Sequence, residues 1–389
     1  MQNRPTPGGS VGTTETEFFT FAEDRPFELA SGETIGPVTL AYEMYGELNE
    51  ERDNLVLLFH ALTGSHHAAG HTPAVEGLGD RWNEEVQQGW WDDFIGPGRA
   101  LDTERYCVLC VNYIGGCYGS SGPASTNPAT GEPWGASFPR ISFADVVRSQ
   151  LELIDHLGVE RLHAVIGPST GGMACLSLST LFPERVDRVV LVATGMETTP
   201  LQRIHNFEQV RAIENDSRFL AGDYSLDTPP SCGLETARMI SHKTFVSLQD
   251  MQARSRSRIE VEPPAHSWYG IQHSLESYML HQGGKFAQRF DANSYLRILD
   301  AWSQFDLLEP AAVETHADLF ARCCQQRYLI FTISSDVCYY PSEQLEMAET
   351  IARAGIDLTH ITVHSDKGHD SFLLEPHLFS PHLSFMLAS

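Results

Sequence analysis

The segment Gly167-Pro168-Ser169-Thr170-Gly171 fits the pattern G-x-S-x-G, which can present a serine as a nucleophile. The pattern alone is weak, since roughly one chain in eight of this length would carry it by chance at ordinary glycine and serine frequencies. Its setting makes it specific. LHAVIG (162–167) reads as a strand and TGGMACLSLSTLF (170–182) as a helix, so the serine stands on a sharp strand-to-helix turn. A serine hydroxyl attacks only once a base takes its proton. His369, in Lys367-Gly-His-Asp370, follows the last strand pattern, and Asp336 follows the strand YLIFTISS. Both therefore reach the same sheet end as Ser169, in the chain order Ser…Asp…His. The bland alternative for Ser169 is a helix N-cap. His60, closing LVLLFH, competes as the base but stands where an oxyanion loop should begin. Asp366 and Asp370 compete with Asp336 but flank the histidine too closely to orient it from behind.

Acyl chemistry at such a serine needs two N–H donors for the oxyanion. Thr170, directly after the nucleophile, supplies one. The loop Ala61–Gly64 supplies the other, with Leu62 as the expected donor. His66, His67 and His71 have no carboxylate or cysteine beside them at ligand spacing, and the serine chemistry needs no metal, so none is expected. There is no P-loop, and no G-x-G-x-x-G follows a strand.

These side chains must be positioned by a β-α framework. Phe27–Leu29 and Val38–Tyr45, joined through SGETIGP, read as an antiparallel hairpin. Asn54–His60 and RYCVLCVNY (105–113) are continuous apolar runs, as in strands buried on both faces. Phe143–Leu157 carries apolar residues at helical spacing and ends at Gly158. The strand DRVVLVAT (187–194) follows, then four helical patterns with no convincing buried strand among them, before YLIFTISS (328–335) and THITVHS (359–365) restore the rhythm. Strands alternating with helices form parallel units in one sheet. The reading is an α/β protein of the α/β-hydrolase fold, a mostly parallel sheet with an inserted helical lid. Residues 17–195 and 311–389 form the core, 196–310 the lid, and 1–16 a disordered lead.

The composition narrows the partners. The net charge of −25 comes from 51 acidic against 26 basic residues, and such a surface repels phosphate backbones and anionic lipid. Neither nucleic acid nor membrane is expected as a partner. No apolar run nears the roughly 20 residues that span a bilayer, and the start of the chain has no secretory apolar core. Cys107-x-x-Cys110 lies within a strand and reads as two buried thiols. A cytoplasmic protein follows.

Taken in order, HALTGSHHAAG (60–70), GWWDDFIGPGRALDT (89–103), VNYIGGCYGSSGPASTNPATGEPWG (111–135), GPSTGGM (167–173), GLETARMISH (233–242), KFAQRFDANSYL (285–296), ISSDVCYYP (333–341) and KGHDSFLLE (367–375) resemble the homoserine O-acetyltransferase family over nearly the whole chain. The resemblance implies ping-pong acyl transfer from acetyl-CoA, or succinyl-CoA in some relatives, to the hydroxyl of L-homoserine, or of L-serine, with no bound cofactor. It implies a homodimer formed through the lid. It also implies that Arg238 holds the acceptor carboxylate and that Asp370 meets the acceptor amino group. Pro168 and Thr170 replace a glycine and a methionine usual at the elbow, Phe245 replaces a common tyrosine, and Val337-Cys338 replaces bulkier residues. Two other readings share these residues: an ester hydrolase with the same triad, and a catalytically silent binding protein.

Overall fold

The apolar runs become strands of one sheet in the computed structural model, which describes residues 9–389 apart from 248, 250, 253–254, 256–257 and 262–267. In chain order the first elements are β1 (Glu17–Phe21), β2 (Phe27–Glu28), β3 (Thr34–Ile35), β4 (Val38–Tyr45), β5 (Leu55–Leu58) and β6 (Cys107–Val111). Then come α1 (Phe143–His156), β7 (Leu162–Pro168), α2 (Thr170–Leu181) and β8 (Val186–Val192). A helical stretch follows, with α3 (Pro200–Glu214), α4 (Ser231–Phe245), the short strands β9 (Arg258–Val261) and β10 (Ile271–His273), α5 (Ser274–Arg289) and α6 (Ala292–Ser303). The sheet resumes with β11 (Arg327–Ile333), crosses α7 (Pro341–Arg353) to β12 (Asp357–Val363), and the chain closes on α8 (Ser380–Ala388).

Eight strands pair in the order β1-β4-β6-β5-β7-β8-β11-β12. From β6 to β12 every pairing is parallel, while β4 runs antiparallel to β6 and to β1. Parallel strands with helices on both faces must be apolar throughout, and β5 and β6 are buried at every position. One apolar layer lies under α1 and α2, the other under α8 with Phe372 and Phe379. Because β5, β7, β11 and β12 run the same way, the loops that follow them open on one edge. A capping box between Ser142 and Asp145 starts α1, and Gly158, at φ +70°, turns the chain out of it.

Two expectations are corrected. Val38–Tyr45 does not pair with Phe27–Leu29. Its outer partner is Glu17–Phe21, where Phe19 and Phe21 are half-buried and Phe18 and Thr20 exposed, while Phe27–Glu28 pairs with Thr34–Ile35 as a separate small ribbon. The lead is not disordered over residues 9–16. Gly9 N–H donates to the Pro97 carbonyl (2.9 Å), the main chains of Gly12 and Thr14 bond to His71, and the Thr14 and Thr72 hydroxyls meet at 2.6 Å. Backbone pairing with a buried loop outweighs the polar composition there. In the helical stretch, α4 packs against α3 and α5. The short antiparallel pair β9–β10 falls among the helices as a ribbon separate from the eight-stranded sheet.

Candidate active site

The elbow at Ser169 is built from close approaches. Ser169 has φ 57° and ψ −127°, a strained conformation for a residue with a side chain. Its N–H donates to the Val192 carbonyl at 2.9 Å and its own carbonyl accepts from Gly172, so the turn is fixed on both sides. A β-carbon on Gly167 would lie 2.2 Å from the Gly171 carbonyl oxygen, and one on Gly171 would lie 2.4 Å from that of Phe59. Only glycine lets the end of β5 lie directly against the start of α2.

Asp336 and His369 meet behind the elbow. His369 Nδ1 donates to Asp336 Oδ2 at 2.7 Å, with Asp336 2% and His369 2% exposed. The other carboxylate oxygen accepts from the N–H groups of Cys338 (2.7 Å) and Tyr339 (2.9 Å), so the turn after β11 aims the acid. With Nδ1 carrying its proton toward the carboxylate, Nε2 keeps its lone pair; it is shut off from solvent and has no hydrogen-bond partner. Burial by itself would lower the imidazole, but the charge and hydrogen bond of Asp336 together with the charge of Asp370 outweigh it and raise His369 above the ordinary 6.5. Tyr339 stacks on the ring at 5.6 Å and its phenol also reaches the Ser169 side chain; Phe372 stands edge-on at 5.4 Å. The Ser169 hydroxyl does not yet hold Nε2, a contact that commonly tightens only with substrate bound.

His60 is not placed to act as the base. Its Nδ1 donates to the Ala61 carbonyl at 2.8 Å, its Nε2 accepts from the Tyr113 N–H at 3.4 Å, and burial pushes its pKa down to about 3. It braces the loop instead. Among the described residues neither the Leu62 nor the Thr170 N–H donates a hydrogen bond, and the two lie on the segments that Gly171 brings together. The Thr170 hydroxyl is also buried without a partner.

A buried cation and a buried anion adjoin the imidazole. The Arg238 guanidinium, on α4, lies 5.1 Å from the rings of both Phe245 and Phe286, and its Nη1 is solvent-shielded with no hydrogen bond. Burial, then the like charge of Arg289, lower its pKa, while Asp370 opposes them. Burial raises the Asp370 carboxyl, against the pull of His369 and Arg238. Its N–H donates to the Phe245 carbonyl at 2.9 Å, tying the histidine loop to the end of α4. Phe245 thus stands between Arg238 and His369, its ring 5.1 Å from the guanidinium and 6.0 Å from the imidazole, so the hydroxyl absent at this position is absent between them. Val337 and Cys338 line a narrow crevice with Gln202 and His205 of α3, and Phe245 lines it too.

The histidine-rich loop shows a partner the sequence did not. Glu43, on β4, is 1% exposed; His67 Nδ1 meets its carboxylate at 2.9 Å, and the hydroxyls of Tyr45 and Thr72 donate to it at 2.8 and 3.1 Å. His66 Nε2 is 3.8 Å away, while His71 is exposed. Among the described residues no three His, Cys, Asp or Glu groups converge as a metal site. Sequence reasoning also passed over Tyr339 and Arg289. Both lie inside the segments that carry the family resemblance, with no spacing signal of their own.

Comparison with known proteins agrees with this architecture. A family model described as alpha/beta hydrolase fold matches residues 54–336. A homoserine O-acetyltransferase of Solidesulfovibrio magneticus is 41% identical over 376 residues, covering 94% of this chain and 90% of the relative. A homoserine O-succinyltransferase of Acidithiobacillus ferrooxidans is 38% identical over 371 residues, covering 95% and 93%. The crystal structure of homoserine O-acetyltransferase from Bacillus anthracis matches with a TM-score of 0.85 at 26% identity, over 97% of this chain and 98% of the other. Since likeness of this degree runs along nearly all of its length, the chain belongs to the homoserine O-acetyltransferase family, on the α/β-hydrolase fold.

Proposed function

We propose that this chain transfers an acetyl group from acetyl-CoA to the side-chain hydroxyl of L-homoserine, an entry to methionine synthesis, through an acyl-enzyme on Ser169. One observation carries the reading: a cation and an anion, Arg238 and Asp370, sit together beside the imidazole, and Arg238 has an unpartnered, solvent-shielded nitrogen. An amino acid brings a carboxylate and an ammonium to match them, whereas a simple ester brings neither.

His369 Nε2 takes the Ser169 proton as Oγ attacks the thioester carbonyl. The N–H groups of Leu62 and Thr170 hold the oxyanion. Collapse breaks the C–S bond, and the CoA thiolate leaves with the proton from the imidazolium. In the second half the homoserine hydroxyl gives its proton to Nε2 and attacks the acyl-serine; Ser169 departs and recovers that proton. Asp336 keeps Nδ1 protonated and stabilises the imidazolium throughout. Ser169 is only 5% exposed, which supports an acyl-enzyme that outlasts the wait for its acceptor. CoA enters as a substrate, and no resident cofactor is needed.

The O-succinyltransferase relative is nearly as similar as the acetyltransferase, which supports succinyl-CoA as the rival donor. We place the reaction in the cytoplasm, supported by the CoA chemistry and by eight free thiols; among the described residues no helix is long and apolar enough to cross a membrane. We assign a homodimer formed through the helical lid, supported by Leu201, Ile204 and Phe207, exposed on α3.

The test is thiol release from acetyl-CoA and succinyl-CoA, each with homoserine, serine or neither. Release is expected to require homoserine and to favour acetyl-CoA, and Ser169→Ala should abolish it. Thiol release indifferent to the acceptor would make the protein a hydrolase.

A further inference from the structure

Arg289, the last residue of α5, reaches out of the helical stretch into the core. Its Nη1 donates to the Tyr118 hydroxyl at 2.6 Å and to the Thr63 carbonyl at 3.3 Å, and its guanidinium lies 5.2 Å from the Phe286 ring. Thr63 directly follows Leu62. The carbonyls of this loop are drawn backward one after another. The His60 carbonyl accepts from the Tyr113 hydroxyl at 2.6 Å, and the Ala61 carbonyl from His60 Nδ1 and the Gly64 N–H at 2.8 and 2.9 Å. The Thr63 carbonyl is taken by Arg289. A peptide plane couples each carbonyl to the N–H of the next residue, so the Thr63 carbonyl sets the Gly64 N–H, which donates to the Ala61 carbonyl at 2.9 Å, and the Ala61 carbonyl in turn sets the Leu62 N–H. A charge-assisted hydrogen bond is the strong kind to use for this.

We propose that Arg289 is a positioning residue for acyl transfer: by holding Thr63 it keeps the Gly64 N–H on the Ala61 carbonyl, so that the Ala61–Leu62 peptide aims the Leu62 N–H at the oxyanion, and that half of the hole depends on α5 being docked. Tyr118 is its anchor, itself held edge-on against Phe290 and Trp82 at 5.6 and 5.8 Å. The inference rests on the reading of Leu62 as an oxyanion donor at an acylated Ser169. It assigns Arg289 a task distinct from that of Arg238. Both arginines lie against Phe286, but only Arg289 hydrogen-bonds the loop.

The experiment measures acylation of the full chain by p-nitrophenyl acetate, read as the burst rate, alongside the homoserine KM and the thermal midpoint. Losing one oxyanion donor outright costs on the order of 10²–10³ in rate. Arg289→Met should therefore slow acylation by about 10- to 100-fold, leaving the homoserine KM within about 3-fold and the fold intact. Arg289→Lys, which can still reach a carbonyl, should recover part of the rate. Tyr118→Phe should slow acylation more mildly, in the same direction. If Arg289→Met acylates at the wild-type rate, or if only the homoserine KM rises, the proposal is overturned. Should Arg289→Met fail to fold, the lysine and Tyr118→Phe variants decide by the same readout: folded variants with unchanged burst rates overturn it. A wild-type chain whose Ser169 is not acylated at all would instead defeat the function proposed above.

Discussion

Burial is the largest effect on His369 and would lower it, but the charge and hydrogen bond of Asp336, whose second oxygen is held by two main-chain N–H groups, together with the charge of Asp370 raise it. As the proposed base, His369 works only when Nε2 is unprotonated, so a raised imidazole sets the sign of the pH dependence. kcat/KM should fall as pH drops through a midpoint above 6.5. Asp336→Asn removes the larger raising charge and leaves burial in control. The midpoint should then move down, with the plateau reduced by about 10⁴-fold, as when the acid of such a triad is lost. A pH–rate profile of both proteins checks this. Arg238, the proposed acceptor clamp, lies on the far side of Phe245. Arg238→Met should weaken kcat/KM for homoserine by about 10²–10³-fold, from the roughly 2–5 kcal/mol lost when one partner of a buried charge pair is removed. Acyl-enzyme formation should stay largely intact, as followed by intact-protein mass in separate half-reactions. Equal loss in both halves would remove Arg238 from acceptor binding.

The loop after β5 depends on polar groups buried beneath it. Glu43 joins β4 to the 66–72 segment through His67, Tyr45 and Thr72, and the ordered residues 12–16 lie over the same segment. Burial would raise the Glu43 carboxyl, but the hydrogen bond and charge of His67 and the charge of His66 lower it below the ordinary 4.5. A lowered carboxylate contributes stability that is complete above 4.5 and lost as pH falls through the folded value. Glu43→Gln should cost about 3–5 kcal/mol in urea unfolding, because it leaves the surrounding donors without their charged acceptor. An unchanged midpoint would show that the network is dispensable.

Seen as one molecule, a strongly acidic chain with a net charge of −25 keeps its cations at particular places, and two of them, Arg238 and Arg289, lie against one phenylalanine beside the proposed reaction centre. The apolar side chains of α3 are the reverse case. Leu201, Ile204 and Phe207 recur at three-residue spacing and are 43%, 56% and 61% exposed, more than an unpartnered helix face normally leaves in water. Phe207→Asp should convert the proposed dimer to monomer in light scattering; a native chain that is already monomeric would end that proposal.

Period and punctuation made much legible in the residues themselves. Apolar runs too continuous for one-sided strands marked a buried parallel sheet, and glycines flanking Ser169 marked a turn that only they permit. The loops after β7, β11 and β12 placed Ser169, Asp336 and His369 at one edge, because parallel strands all end on the same side. The linear order could not tell that Glu17–Phe21, rather than Phe27–Leu29, pairs with Val38–Tyr45, since several alternating segments competed for one sheet edge. Nor could it tell that Glu43 lies against two histidines more than twenty residues away, or that Arg289 reaches the carbonyl of Thr63. Those contacts join elements far apart in the chain, and no local periodicity encodes them; packing alone decides which distant side chain fills a buried donor or acceptor.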